Sequence, residues 1–201
     1  MVELIPHSYV TRLNLQKIFG RAAPLQVDLG CGDGSFLSAL AERMPEKNFL
    51  GVERLIGRVR SACRKAARID NMRVIRVETA YAVRYLLPEQ SVQVFHLLFP
   101  DPWPKRRHKR RRVMTSEFLH SVHCALAPQG LLRIATDQLD YFDQMQRLAR
   151  ADPQFAIVEP LLATPVEVDD VDLPLSKFER KFQQQGVPIH WLAMRKVSPV
   201  M

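Results

Sequence analysis

The chain of 201 residues has only three cysteines, Cys31, Cys63 and Cys124, widely spaced and in no C-x-x-C pair. A disulfide framework or a zinc site is therefore not expected, and three reduced thiols are. No uncharged apolar run approaches the ~20 residues that cross a bilayer, and MVELIPHSYVTR lacks the basic-then-apolar layout of a secretory signal. The sequence reads as soluble and cytoplasmic, with no membrane partner. Glycine is scarce, eight residues in all, yet three fall together at Gly30, Gly32 and Gly34. No internal repeat or low-complexity tract is visible, and an apolar content of 47% excludes wholesale disorder.

Acidic charge is also in deficit. Lys and Arg number 29 against 21 Asp and Glu, a net charge of +8. The run KRRHKRRR at 105–112 holds seven of those cations, and without it the balance is 22 against 21. The excess thus reads as one dense cluster on an otherwise neutral protein, which points to a polyanionic partner at one face. A solvated basic loop is the plainer alternative.

Residues 1–23 show no strong periodicity and read as a short, mildly basic lead-in; residues 24–201 read as a single domain. Apolar strands are expected at 25–29, 48–52, 73–77, 92–99 and 130–136, alternating with helical patterns at 35–44, 54–68, 79–87, 115–126 and 138–150. Such alternation, with nearly continuous apolar strands, predicts an α/β fold with a parallel sheet covered on both faces. Ligands in such folds bind outside the carboxyl ends of the strands. The last fifty residues hold an acidic stretch at 164–174, a basic helix in SKFERKFQQQ and a final strand in VPIHWLAMRKV.

The stretch VDLGCGDGSF at 27–36 places Asp28 at the end of a strand, before glycines that let a backbone approach a ligand closely and a helix N-terminus with free N–H groups. A dinucleotide fingerprint requires G-x-G-x-x-G, but Ser35 stands three after Gly32, so the pyrophosphate reading loses ground. An acid two residues before G-x-G-x-G suits a cationic adenosyl ligand such as S-adenosylmethionine. Glu53 closes the second strand, where a carboxylate can accept both ribose hydroxyls. Glu78 ends the third, a candidate for the adenine end of the cofactor or for a helix cap. Asp101 ends the fourth within FPDPW, and Pro102 restricts it to extended conformations facing the cofactor pocket. Trp103 is either a base-stacking platform or a packed loop anchor.

VDLGCGDGSF, GVER, LFPDPWPKRRHKRRR, ATD at 135–137 and SKFE at 176–179 together resemble the bacterial tRNA (guanine-N7-)-methyltransferases, over residues 25–196. The resemblance implies a seven-stranded, Rossmann-like class I methyltransferase sheet whose last strand is antiparallel. It implies transfer of a methyl group from S-adenosylmethionine to guanine N7 in the tRNA variable loop. Asp28, Gly30, Gly32, Glu53, Glu78 and Asp101 then fall in the cofactor site; Lys105, Asp137, Ser176, Lys177, Phe178 and Glu179 match substrate-binding positions, and Asp101 the catalytic one. Arg106, Arg107, Lys109, Arg110, Arg111 and Arg112 are the candidate phosphate contacts. Ser176 stands where Thr is common and Glu78 where Asp is usual, and both keep the functional group. The family contains monomers and dimers, which leaves the oligomeric state open.

The implied chemistry is an in-line displacement. Guanine N7 has a lone pair and no proton to lose, so no strong base is needed. Asp101 either holds the guanine or stabilises its growing cation, and Asp137 is the candidate acceptor for N1–H and N2–H. Ser176 and Glu179 also form a capping-box pattern, and Phe178 and Phe182, four apart, fit a core face better than a stacking surface. His120 and His123 share a helix face without a third ligand, so no metal is expected. The rival readings are an exocyclic-amine methyltransferase, a non-catalytic RNA-binding module and, more distantly, a nicotinamide-dependent oxidoreductase.

Overall fold

The computed structural model describes residues 2–158 and 173–197. In chain order the elements are β1 (Glu3–Leu4), α1 (Leu15–Phe19), β2 (Leu25–Leu29), α2 (Ser35–Arg43), β3 (Asn48–Glu53), α3 (Ile56–Ala66), β4 (Met72–Arg76) and α4 (Thr79–Tyr81), which continues as a π-helical turn over Ala82–Leu86. After β5 (Val92–Leu98) come a 3-10 helix (Arg106–Arg111), α5 (Ser116–Ala125), β6 (Leu126–Thr136), α6 (Leu139–Ala151), β7 (Phe155–Ile157), α7 (Lys177–Gln184) and β8 (His190–Lys196).

The strands form one sheet in the order β1-β4-β3-β2-β5-β6-β8-β7, parallel except that β8 runs antiparallel to both neighbours. Every residue of β2 and β3 is buried, as a strand covered on both faces requires. Helices α2 and α3 cover one face through Leu37, Leu40, Val59 and Ala62, while α5, α6 and the α4 turn cover the other. The last strand is antiparallel, as the family resemblance implies, but among the described residues the sheet has eight strands where seven were expected. The additional one is β1, whose Glu3 and Leu4 pair with Val74 and Ile75. Two residues are too few for an alternating pattern to show.

The lead-in is packed onto the sheet's helical layer. Leu13 and Phe19 are buried, the Leu13 amide donates to the Leu86 carbonyl, and the Arg12 guanidinium donates to the carbonyls of Arg84 and Leu87. Strand β6 begins at Leu126, four residues before the expected 130, because a register shift lets the chain join the ladder early. The pairing steps from Val92–Leu126 to Val94–Leu131, with Gln129 at φ 62° in between. Residues 164–172 of the acidic stretch lie outside the described residues.

Arg112 carries much of the attachment of the segment after β5. It is 4% exposed, donates to the carbonyl of Pro102 at 2.8 Å, to Gln144 Oε1 at 2.7 Å and to Asp140 Oδ2 at 2.5 Å, and lies 4.5 Å from the centre of the Tyr141 ring. Three of these partners belong to α6, so one guanidinium pins both ends of residues 102–112 to that helix. This corrects the expectation that Arg112 is a phosphate contact, since its donors face inward. Arg112→Ala is expected to lower stability by about 2–4 kcal/mol, because it removes three hydrogen bonds of a buried guanidinium and empties the ring face. Exposed Arg110→Ala should change it by less than about 0.5 kcal/mol. Urea unfolding of both variants is the check, and equal effects would show that Arg112 is no anchor.

Candidate functional site

At the carboxyl end of β2 the chain turns through residues 30–34. The amides of Gly30 and Cys31 donate to the carbonyl of Val52, which ties the turn to β3. Gly30 and Gly32 adopt φ of 86° and 56°, and a Cβ built on either meets nothing within 4 Å. Open space therefore stands over the turn, bordered by backbone rather than side chains. Gly34 is different. A Cβ there would come within 2.8 Å of Ala62, so its absence lets α2 approach α3.

Two buried carboxylates flank this turn. Asp28 is 3% exposed, and burial first, then the charge of Glu53, pushes it up from 3.8 to about 7. Glu53 is 4% exposed but well supplied with donors: Gly32 N–H to Oε2 at 3.1 Å, and Arg54 and Leu55 N–H to Oε1 at 2.8 Å each. The Arg58 guanidinium lies 3.8 Å from the same carboxylate. Asp28, by contrast, is a buried acid with a neighbour of like charge. That is the setting in which an incoming cation is favoured.

Glu78, the third strand-end acid, is exposed and caps α4. Its two oxygens accept from the amides of Ala80 at 3.0 Å and Tyr81 at 2.8 Å. Of the two uses expected for it, the cap is the one formed here.

The chain leaves β5 through a strained bend. Phe99 takes φ 53° and Trp103 φ 43°, both in the left-handed region that side chains disfavour. The Phe99 amide donates to the Ala135 carbonyl at 2.8 Å, which holds the bend on the end of β6. Asp101 lies between these points with 70% of its side chain exposed, 3.8 Å from the Arg54 guanidinium. It thus stands over the Glu53–Arg54 corner at the rim of the cleft. Arg54 was missed as a site residue from sequence, although it ends the GVER motif.

Trp103 is half-buried, with the Arg111 guanidinium 5.0 Å from its ring centre and His108 edge-on at 5.9 Å. Of the two roles considered for it, the packed loop anchor is the one seen. The cations of 105–112 accordingly divide. Arg112 is buried, Lys109 donates to Asp140 at 2.8 Å and Arg111 covers Trp103, while Lys105, Arg106, Arg107 and Arg110 are exposed.

Asp137, at the end of β6, is half-buried and accepts from the Gln138 amide side chain at 2.6 Å; Gln138, not Asp137, occupies the cap of α6. The run Ser176–Glu179 splits in two. Ser176 and Glu179 are buried in a reciprocal capping box, whereas Lys177 and Phe178 are exposed. Phe178, at 45% exposure, corrects the core reading of the Phe178–Phe182 pair. The two rings instead meet Phe99, at 5.8 and 5.4 Å, and join α7 to the strained bend.

His96 was not singled out from sequence, where it looks like an interruption of an apolar strand. It is the register partner of both Asp28 and Arg133, and its Nε2 is 2.9 Å from Gln26 Oε1. Burial, then Arg133, lowers its pKa to about 3, so the ring is neutral and Nδ1 is a buried acceptor with no donor among the described residues. Among the described residues no group of three potential metal ligands occurs, and no helix is long and apolar enough to cross a membrane.

These features agree with comparisons to known proteins. The family model described as "Putative methyltransferase" matches residues 22–192. The tRNA (guanine-N(7)-)-methyltransferase of Leifsonia xyli is 40% identical over 91% of this chain and 81% of its own length. That of Halorhodospira halophila is 38% identical over 91% and 79%. Among solved structures, the antibiotic-resistance methyltransferase Kmr superposes with a TM-score of 0.63 over 98% of this chain and 96% of its own, and the 16S rRNA methyltransferase KamB with 0.63 over 92% and 93%. Both are 16% identical and speak to the fold alone. With a strand-end acid beside a glycine turn, a strained FPDPW bend and a basic 3-10 helix in one cleft, and with relatives at this identity over nine-tenths of its length, the chain belongs to the tRNA (guanine-N7-)-methyltransferase family.

Proposed function

We propose that the protein methylates N7 of a guanine in the variable loop of tRNA, using S-adenosylmethionine as the donor. The observation that carries this reading is the meeting of two sites at one corner. Glu53 borders the glycine turn, the adjoining Arg54 is paired with Asp101, and Asp101 lies on the loop that leads into the basic 3-10 helix. A candidate cofactor cradle and a candidate phosphate-binding surface thereby adjoin, linked through a hydrogen bond and an ion pair.

The residues present fit the cofactor. Asp28 would face its positive charge, Glu53 has lone pairs left for ribose hydroxyls, and the open space over Gly30 and Gly32 admits the ligand against the backbone. When bound, S-adenosylmethionine supplies an electrophilic methyl group on a sulfonium. The chain's own task is then to place and discriminate the guanine. Asp101, exposed at the rim, fits the role of holding the purine and offsetting the positive charge that N7-methylation creates. Asp137 has acceptor capacity toward the guanine N1–H and N2–H donors, which adenine does not present together. Lys105, Arg106, Arg107, Arg110 and Lys177 are exposed to take phosphates, and the exposed Phe178 offers an apolar face beside them. Ser176 and Glu179, spent on the helix cap, would act by orienting Lys177 and Phe178.

The direct test is incubation with methyl-labelled S-adenosylmethionine and unmodified tRNA, followed by nucleoside digestion and chromatography. Label is expected in 7-methylguanosine, and Asp101→Ala should lower the rate at least about 10²-fold. Label in a methylated exocyclic amine would overturn the assignment of N7, and cofactor binding with no label in any RNA would overturn the assignment as an enzyme.

Asp28 adds a pH signature. Its pKa in the folded protein, about 7, exceeds its ordinary 3.8, so between those values the folded chain holds a proton that the unfolded chain has released. Its contribution to stability is therefore present below about pH 4 and is lost as pH rises through 7. Asp28→Asn should remove that loss, raising the thermal midpoint relative to the unsubstituted protein by more at pH 8 than at pH 5. A bound cation has the opposite preference and favours the ionised acid. Cofactor affinity should fall by about tenfold per pH unit below pH 7, and Asp28→Asn should weaken it at pH 8 by at least about tenfold. Calorimetry and thermal scans at the two pH values check both. A pH-independent difference in midpoint between the two proteins would contradict the account of Asp28.

A further inference from the structure

The segment 54–68 carries Arg54, Arg58, Arg60, Arg64, Lys65 and Arg68 and no acid. This corrects the reading of a single basic cluster on an otherwise neutral chain. The charge balance outside 105–112 is close to even partly because acids such as Glu167, Asp169, Asp170 and Asp172 are counted against these arginines, far from them in sequence.

Helix α3 turns Val59, Ala62 and Ala66 onto the sheet and leaves all six cations exposed. Three have acidic partners: Arg54 with Asp101 at 3.8 Å, Arg58 with Glu53 at 3.8 Å and Lys65 with Asp33 at 3.0 Å. Arg60, Arg64 and Arg68 have none among the described residues. Four apart, they line up along one edge of the helix over about 12 Å, with Arg68 just past its end. Like charges at this spacing repel and destabilise a helix. The helix dipole accounts for cations in the last turn, but not for Arg60 nearer the start. A row kept against that repulsion, made of guanidiniums whose fork matches phosphate oxygens, is what an extended polyanion would satisfy.

We propose that the outer edge of α3 is a second RNA-backbone surface, on which Arg60, Arg64 and Arg68 take phosphates of the substrate RNA away from the methylated base. The inference rests on the reading of the substrate as tRNA. Continuity supports it: Arg54, just ahead of α3, pairs with Asp101, so the start of α3 adjoins the candidate cleft, and the row begins about one turn into the helix and runs away from it. The exposed apolar residues of this segment, Leu55 and Ile56, sit at the cleft end only, so the arginine row has no apolar flank to enter a lipid surface.

The test compares the unsubstituted protein with the triple variant Arg60→Ala, Arg64→Ala, Arg68→Ala, on full-length unmodified tRNA. KM for tRNA should rise about tenfold with kcat unchanged, and the slope of log affinity against log salt should become shallower by about 2 to 3, one increment per lost phosphate contact. Affinity for S-adenosylhomocysteine should be unchanged, which reports an intact cofactor fold. Arg→Lys at the same three positions should restore most of the affinity, since the charge is retained. The proposal is overturned if tRNA affinity and salt slope are the same in the alanine variant, or if that variant loses binding to phosphatidylglycerol vesicles while keeping its affinity for tRNA. A protein that methylates no tRNA at all would count against the function proposed above. One that methylates normally but ignores the three substitutions would count against this surface alone.

Discussion

Asp28 lies in a strand whose five residues are all buried, and much of the site follows from the difficulty of keeping an acid there. A carboxylate withdrawn from water resists ionisation. The neighbouring polar groups do not relieve this. His96, its register partner, is neutral and bonded to Gln26, while Glu53 brings a second negative charge. The apolar sheet therefore contains a polar position whose natural complement is a cation from outside. The glycine turn above it has backbone and open space where side chains would otherwise close the approach.

The other half of the site is held by strain and by its restraints. Phe99 and Trp103, both at positive φ, bracket Asp101 and give that short stretch a shape which ordinary extended backbone would not adopt. The conformation persists because it is over-determined. The Phe99 amide is bonded to β6, its ring meets two rings of α7, Trp103 lies under Arg111, and the buried Arg112 reaches back to the Pro102 carbonyl. Asp101 can thus be exposed and still be placed, since the neighbours that fix it are not its own contacts.

The strands were legible in the sequence where burial on both faces makes a continuous apolar run, and β2 falls at 25–29 as expected. What the sequence did not show was short or depended on tertiary contacts. The two residues of β1 cannot display a period, and the early start of β6 depends on a bulge at Gln129. The site was legible as residue types at strand ends, and Asp28, Glu53, Asp101 and Asp137 do gather there. Their different roles were not legible, because exposure and hydrogen-bond partners decide them. Glu53 is clamped by three amides whereas Glu78 caps a helix, although each is an acid at the end of a strand. Within the basic run, Arg112 and Arg110 are two residues apart in one pattern. What distinguishes the anchor from the exposed cation is tertiary: the Tyr141 ring and the acceptors of Pro102, Asp140 and Gln144 surround Arg112 and not Arg110.

The basic 3-10 helix shows how one stretch can serve folding and binding with the same residue type. Seven cations within eight positions repel one another, and in isolation they would favour an extended chain. Asp140 takes two of them, Lys109 and Arg112, and the Trp103 ring takes Arg111. That leaves Lys105, Arg106, Arg107 and Arg110 crowded and exposed on a backbone already fixed by the others. Among the described residues no acid pairs with these four, so a polyanion that neutralises them would remove an unfavourable term of the free fold while making its own contacts. Anchoring some cations is therefore what keeps the remainder clustered, and on the proposed function the grip of this face on phosphate would depend on Arg112, whose own donors face inward.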